Sequence, residues 1–222
     1  FGKLYLSPDN GSSWGNLLTV PSGPPARSII SIAVNGSNIF ATAYGAGVYV
    51  STNNGGAWAT ANNGLTNLYP TSIITSGNNI IVTSDVSTGG NAFLSSNNGN
   101  SWTPISLPAQ VSSFGIHPGF AKNTGGLFAA TKSGVYYSQD NGLNWTPSNT
   151  GLTKLNTYTI YALNSYLIVG TATGEIFFSH DYGFSWTALS TSGLPPYVID
   201  NFAVCGSNIF AVCGNNLYYS PL

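Results

Sequence analysis

The sequence predicts an all-β protein, a five-bladed β-propeller of four-stranded antiparallel blades, and three observations predict it. First, one phrase recurs: Ser7-Pro-Asp-Asn-Gly-Ser-Ser-Trp14, Ser51-Thr-Asn-Asn-Gly-Gly-Ala-Trp58, Ser95-Ser-Asn-Asn-Gly-Asn-Ser-Trp102, Ser138-Gln-Asp-Asn-Gly-Leu-Asn-Trp145 and Ser179-His-Asp-Tyr-Gly-Phe-Ser-Trp186. Second, its leading serines stand 44, 44, 43 and 41 residues apart, and all five tryptophans of the chain belong to it. Third, the intervals hold short β-branched and aromatic runs between turn residues and leave no room for a helix. Four short strands and one aromatic landmark per repeat of this size describe a propeller blade. The competing linear β-solenoid has shorter coils without two hairpins and a tryptophan turn in each.

Each repeat is read in the same order. A strand precedes every phrase: Lys3-Leu-Tyr-Leu-Ser7, Gly47-Val-Tyr-Val-Ser51, Ala92-Phe-Leu-Ser95, Gly134-Val-Tyr-Tyr-Ser138 and Glu175-Ile-Phe-Phe-Ser179. The Asp/Asn-x-Gly that follows is a tight turn, because the side-chain oxygen bonds to backbone amides further on and glycine accepts positive φ. Tryptophan then opens a fourth strand and covers the hairpin with a large apolar surface. Two further strands follow, Ser28–Val34 to Asn38–Thr42, Thr71–Thr75 to Asn79–Thr83, Val111–Ile116 to Leu127–Thr131, Tyr158–Ala162 to Leu167–Thr171 and Val198–Val204 to Asn208–Val212. The whole chain, 1–222, is expected to be one propeller domain with repeats marked at 7, 51, 95, 138 and 179.

The pattern Ser-x-Asp-x-Gly-x-Ser/Thr-Trp resembles the Asp-box, or BNR repeat, of sialidases, sortilin-type receptors, certain xyloglucan hydrolases and plant photosystem-assembly factors. The element Gly-Leu-Thr or Gly-Leu-Pro after the tryptophan, at Gly64, Gly151 and Gly193, makes it most similar to the sortilin-like and assembly-factor types. The resemblance covers essentially the full chain. It implies that Asp9, Gly11, Trp14, Asn53, Gly55, Trp58, Asn97, Gly99, Trp102, Asp140, Gly142, Trp145, Asp181, Gly183 and Trp186 are structural, on the face opposite the usual ligand site. Asn53 and Asn97 stand where the family carries an acid, and an amide can accept the same local hydrogen bonds.

Composition excludes several functions. Charged residues are 5% of the chain, against roughly 25% in ordinary soluble domains, and the net charge is -1. Four lysines and Arg27 cannot form the basic stripe that nucleic acid requires. No run approaches the about 18 apolar residues of a membrane span, so membrane insertion is not expected. With 42% hydrophobic and 13% aromatic residues, a folded core is expected instead. Cys205 and Cys213 flank a hairpin turn with a stagger too large for a bridge, and are read as free thiols. No cofactor and no metal are expected: His117 and His180 lack any triad or metal-ligand spacing. The sialidase activity is disfavoured because a clamp for a substrate carboxylate cannot be built from Arg27 alone.

Six acids remain, and three of them, Asp9, Asp140 and Asp181, belong to the turns. Asp85, Glu175 and Asp200 fall at strand ends near the opposite loops, and support the alternative reading of a glycoside hydrolase working by paired carboxylates. The leading expectation is a non-enzymatic ligand-binding or scaffold propeller. Its inter-blade loops, 15–27, 59–71, 103–110, 146–157 and 187–197, are expected to share one face with the loops between second and third strands and together to present Tyr44, Tyr69, Asp85, Lys154 and Tyr197, an aromatic and polar set suited to a glycan or peptide. A first-strand series, Ser31, Ser72, Ser113, Thr159 and Asn201, supplies small residues for narrow inner strands. Phe1 in place of an initiator methionine is expected of a mature chain or an excised piece, and an extracellular or cell-surface location goes with it. Finally, LYLSP at one terminus and LYYSP at the other compete for one strand. The ring is expected to be closed by strands from both termini, with the N-terminal hairpin taking the contested place and the C-terminal copy redundant, displaced to an edge or exchanged with another molecule. A monomer is expected, with a strand-exchanged dimer as the alternative.

Overall fold

A computed structural model describes residues 3–19, 28–84, 92–106, 120–123, 126–163 and 166–221. The chain divides into two units, Phe1–Ser106 and Leu107–Leu222. In the first, β1 (Lys3–Leu6) and β2 (Gly15–Thr19) form a two-stranded sheet. A four-stranded antiparallel meander follows, β3 (Ile29–Asn35), β4 (Asn38–Ala43), β5 (Gly47–Ser51) and β6 (Ala59–Thr60), and then a second, β7 (Pro70–Ser76), β8 (Asn79–Ser84), β9 (Ala92–Ser95) and β10 (Thr103–Ile105). The second unit holds β11 (Phe120–Asn123) to β12 (Gly126–Thr131), β13 (Gly134–Ser138) and β14 (Thr146–Pro147). It continues with β15 (Thr157–Leu163), β16 (Tyr166–Thr171), β17 (Ile176–Ser179) and β18 (Thr187–Ala188), and ends with the three-stranded β19 (Ile199–Cys205), β20 (Asn208–Cys213) and β21 (Asn216–Pro221). This is an all-β, multi-sheet repeat architecture. Among the described residues no helix is long and apolar enough to cross a membrane.

The sheets pack through the faces that the sequence alternation supplies. Phe40, Ile80, Val82 and Phe93 bury with Trp102 between neighbouring sheets of the first unit, and Phe128, Leu167, Val169 and Phe177 bury with Trp186 in the second. Fully burying such side chains stabilises by about 1.5–3 kcal/mol each. The second and third strands of the four-stranded sheets are largely buried, and the second strands end on Ala43, Ser84, Thr131, Thr171 and, in the three-stranded sheet, Cys213, all under 5% exposed. Small residues recur there because the strand is enclosed on both faces. A register shift recurs in four first strands, between Ile29 and Ser31, Pro70 and Ser72, Thr157 and Thr159, and Ile199 and Asn201. The extra residue is therefore Ile30, Thr71, Tyr158 or Asp200, each re-aimed at the strand's entry as a bulge does.

Three expectations are corrected. The strand that pairs with β12 is Phe120–Asn123, with Asn123 opposite Gly126; a two-residue connection demands the segment immediately before Gly126. Val111–Ile116, including Ser113, lies outside the described residues. The tryptophans precede the fourth strands and do not open them, since β6, β10, β14 and β18 start one residue later. At the termini, the C-terminal copy is not redundant: Asn216–Pro221 pairs with β20 over six residues, from Cys213↔Asn216 to Asn208↔Pro221. Gly214 and Asn215 both have positive φ, +56° and +65°, the conformation of a type I′ hairpin turn. A two-residue closure outcompetes a distant copy of the same phrase because it spends little chain entropy. Cys213 faces Ile199 and Cys205 faces Asn208, so the free thiols occupy opposite ends of one hairpin.

Candidate functional site

The repeated turns are closed hydrogen-bond cages. In the third, Ser95 Oγ donates to Asn97 Oδ1 at 2.9 Å and accepts from Gly99 N at 2.9 Å, while Asn97 Oδ1 also accepts from Ser101 N at 2.9 Å. Ser179, Asp181, Gly183 and Ser185 repeat these bonds at 2.8, 2.8 and 2.9 Å with a carboxylate in place of the amide. The residue before each glycine is left-handed: Asn10, Asn54, Asn98, Asn141 and Tyr182 have φ between +55° and +58°. Hydrogen bonds hold the turn carboxyls below the usual range. Ser13 does so at Asp9 and the Asn144 amide at Asp140, whereas at Asp181 a raising effect of burial is outweighed by Ser185 and Ser179. These acids accept bonds from their own turns and face no reacting group.

On the loops between second and third strands, and between repeats, the candidate residues separate by unit. In the first unit Tyr44 and Tyr69 meet edge to face with ring centroids 5.1 Å apart, both half-buried. The backbone fixes them: Tyr44 N donates to Ser28 O at 2.9 Å, and Tyr69 N to Asn67 Oδ1 at 2.9 Å. Asp85 and Arg27 lie outside the described residues, as does His117. In the second unit Lys154 Nζ lies 3.9 Å from Glu175 Oε1. Glu175 Oε2 accepts from Thr171 Oγ1 at 2.5 Å and Thr173 Oγ1 at 2.6 Å. Burial works against its ionisation, but the two threonines, its own amide and Lys154 together hold the carboxyl below the usual range. Tyr197 is 59% exposed beside Gly214, and its carbonyl accepts from Cys213 Sγ at 3.6 Å. Asp200 sits half-buried at the bulge of β19.

A general acid needs a carboxyl raised toward neutrality; Glu175 is held the other way and saturated by donors. The threonine clamp escaped sequence reasoning, although Thr-x-Thr-x-Glu over residues 171–175 is its signature once a strand end folds back. His180 packs its ring 4.4 Å from Phe178. Among the described residues no three His, Cys, Asp or Glu gather to hold a metal. A cavity of about 480 Å³ opens in the second unit between Leu189–Leu194 and strands β20 and β21. Sequence reading missed it as well.

The fold has many solved counterparts. A structure of YCF48 bound to D1 peptide superposes with a TM-score of 0.69 at 16% identity, covering 99% of this chain and 71% of that one. YCF48 from Cyanidioschyzon merolae gives 0.64 at 15% identity, with 98% and 76% covered. The GH74 xyloglucanase from Xanthomonas campestris gives 0.65 at 14% identity over 84% of this chain, which spans only 34% of that enzyme. No family model and no curated protein matches the sequence. At these identities the likeness is one of fold: a propeller-like repeat protein.

Proposed function

We propose that residues 1–222 form a five-bladed propeller domain acting as a non-enzymatic binding module, which takes a peptide or a neutral glycan on its inter-repeat loops in an extracellular or cell-surface setting. One observation carries this reading: within each unit the loop side chains are held by their neighbours, Tyr44 against Tyr69 in the first and Glu175 by two threonines in the second. Rigid tyrosines among neutral hydrogen-bonding groups offer large contact area at small entropic cost. YCF48, similar in fold, has been solved with a peptide bound. Tyr44, Tyr69, Lys154 and Tyr197 are the proposed contacts, and the turn residues from Asp9 to Trp186 serve architecture.

The test presents the intact protein to a glycan array and a peptide library, then analyses the captured ligands. Unmodified ligand is expected, with retention reduced by Tyr69→Ala or Tyr197→Ala. Release of reducing ends that disappears in Asp85→Asn, Glu175→Gln or Asp200→Asn would replace this reading with the glycoside hydrolase alternative.

A further inference from the structure

The turn at 179–186 differs from its four counterparts in what it shows to solvent. Its hydrogen-bonded frame is the common one, and Gly183 faces inward, where an added Cβ would lie 2.6 Å from Phe128 Cε1. The residues on either side of that glycine are exposed, as they are in the turns at 51, 95 and 138. In the other four turns the residue before the glycine is always asparagine, and the one after it is Ser12, Gly56, Asn100 or Leu143. Here they are Tyr182 and Phe184, 42% and 68% exposed.

Tyr182 is held in a conformation that suits it poorly. Its φ of +58° is a left-handed value that asparagine adopts readily and a bulky side chain does not. Such a residue, standing where a plainer one fits, argues for a use of its side chain. Phe184 is supported from beneath: its ring meets Tyr137 at a centroid distance of 6.5 Å and 63°, and Tyr137 stacks on the buried Phe128 at 4.9 Å. The Phe184 N–H donates to Asp181 O at 3.2 Å, and Ser148 Oγ donates to the Gly183 carbonyl, so the neighbouring repeat also fixes the turn. Two exposed rings thus stand on a rigid support and lose little freedom when a ligand covers them.

Their surroundings decide what they can hold. Asp181 Oδ1 accepts from Ser179 Oγ and Ser185 N, while Oδ2 accepts from Ser185 Oγ at 2.6 Å, which leaves Oδ2 a lone pair for a further donor. The turn contains no lysine or arginine, and none follows Lys154 in the sequence, so an anionic ligand would meet only a carboxylate. At these exposures the two rings offer on the order of 200 Å², against about 800 Å² per partner in a standard protein interface. A small neutral ligand with one apolar face and one hydroxylated edge matches that surface. The C–H face of a pyranose has this form, and its partly positive hydrogens suit the negative face of an aromatic ring.

We propose that this turn is a saccharide-binding site: Tyr182 and Phe184 take the C–H faces of a neutral sugar chain, and Asp181 Oδ2 accepts a sugar hydroxyl. The turn follows β17 and Glu175 precedes it, so the site lies at the other end of that strand from the loop contacts and does not rest on them.

The test titrates the intact protein with cellohexaose, mannohexaose and chitohexaose, with saturation-transfer NMR from the protein's aromatic protons. At least one sugar is expected to bind and to receive saturation at its C–H protons. Tyr182→Asn and Phe184→Ser return the turn to side chains that its counterparts carry. Each is expected to weaken binding on the order of tenfold without lowering the thermal midpoint. Tyr69→Ala is expected to leave this affinity unchanged, which separates the result from that of the loops. Absence of transfer to all three sugars, affinity indifferent to either turn substitution, or tighter binding of heparin than of any neutral sugar would each overturn the proposal.

Discussion

Ser95 illustrates how much a single hydroxyl can organise. It is fully buried, donates to Asn97 and accepts from Gly99 N, so its removal leaves a buried amide unsatisfied. Ser95→Ala is expected to cost about 1–3 kcal/mol in urea unfolding, whereas Asp181→Asn is expected to stay within about 0.5 kcal/mol at neutral pH, because Asn97 already makes the equivalent bonds. Acid separates the two kinds of turn. The carboxyls of Asp9, Asp140 and Asp181 lie below the ordinary 3.8 when folded. Their contribution is present above the unfolded pKa and is lost as pH falls through the folded one. A stability profile should therefore decline below about pH 4, and replacing all three by asparagine should flatten that branch. A profile unchanged by the triple replacement would mean that these carboxylates do not carry the acid sensitivity.

At the scale of the element, the same φ is tolerated or punished according to what lies beyond it. Gly11 at +92° faces open space, but Gly151 at +87° faces the Trp186 carbonyl. Alanine at either position incurs the left-handed penalty of about 1–2 kcal/mol; Gly151→Ala adds displacement of a buried tryptophan and should exceed Gly11→Ala by at least about 1 kcal/mol. Equal losses in calorimetry would show that the packing around Trp186 is soft. Tyr182 offers the converse, being the one turn residue at φ +58° that is not asparagine. Tyr182→Asn should raise the thermal midpoint, since asparagine visits this region more readily. These turns were legible in the sequence because their chemistry is local. The true partner of β12 was not, since the Val111–Ile116 run has strand composition too and only the length of the connection decides.

Across the whole molecule, the 41-to-44-residue period announced a repeat fold from spacing alone. Two near-identical phrases at the termini could not announce their pairing, because LYLS and LYYS carry the same side-chain pattern and the distinction is one of chain closure. The candidate site was half legible. Tyrosines near turns mark the loops, but the clamp on Glu175 and the cavity beside β20 and β21 depend on residues that meet only after folding. With charges this sparse, the polar residues are chiefly asparagine, serine and threonine. Asparagine is among the residues that limit a protein's chemical lifetime, and four of the five turns contain Asn-Gly, where the glycine nitrogen can attack the amide carbon and begin deamidation. Here Gly11, Gly55, Gly99 and Gly142 each donate that N–H to a serine oxygen at 2.6–2.9 Å. Asn35-Gly36 has Ile32 where those turns have serine. In protein aged at mild alkaline pH, mass mapping should find Asn35 converted before Asn54 or Asn98, and Ser51→Ala should hasten the change at Asn54. The hydroxyl that shapes each turn would thereby also slow the clock on its covalent ageing.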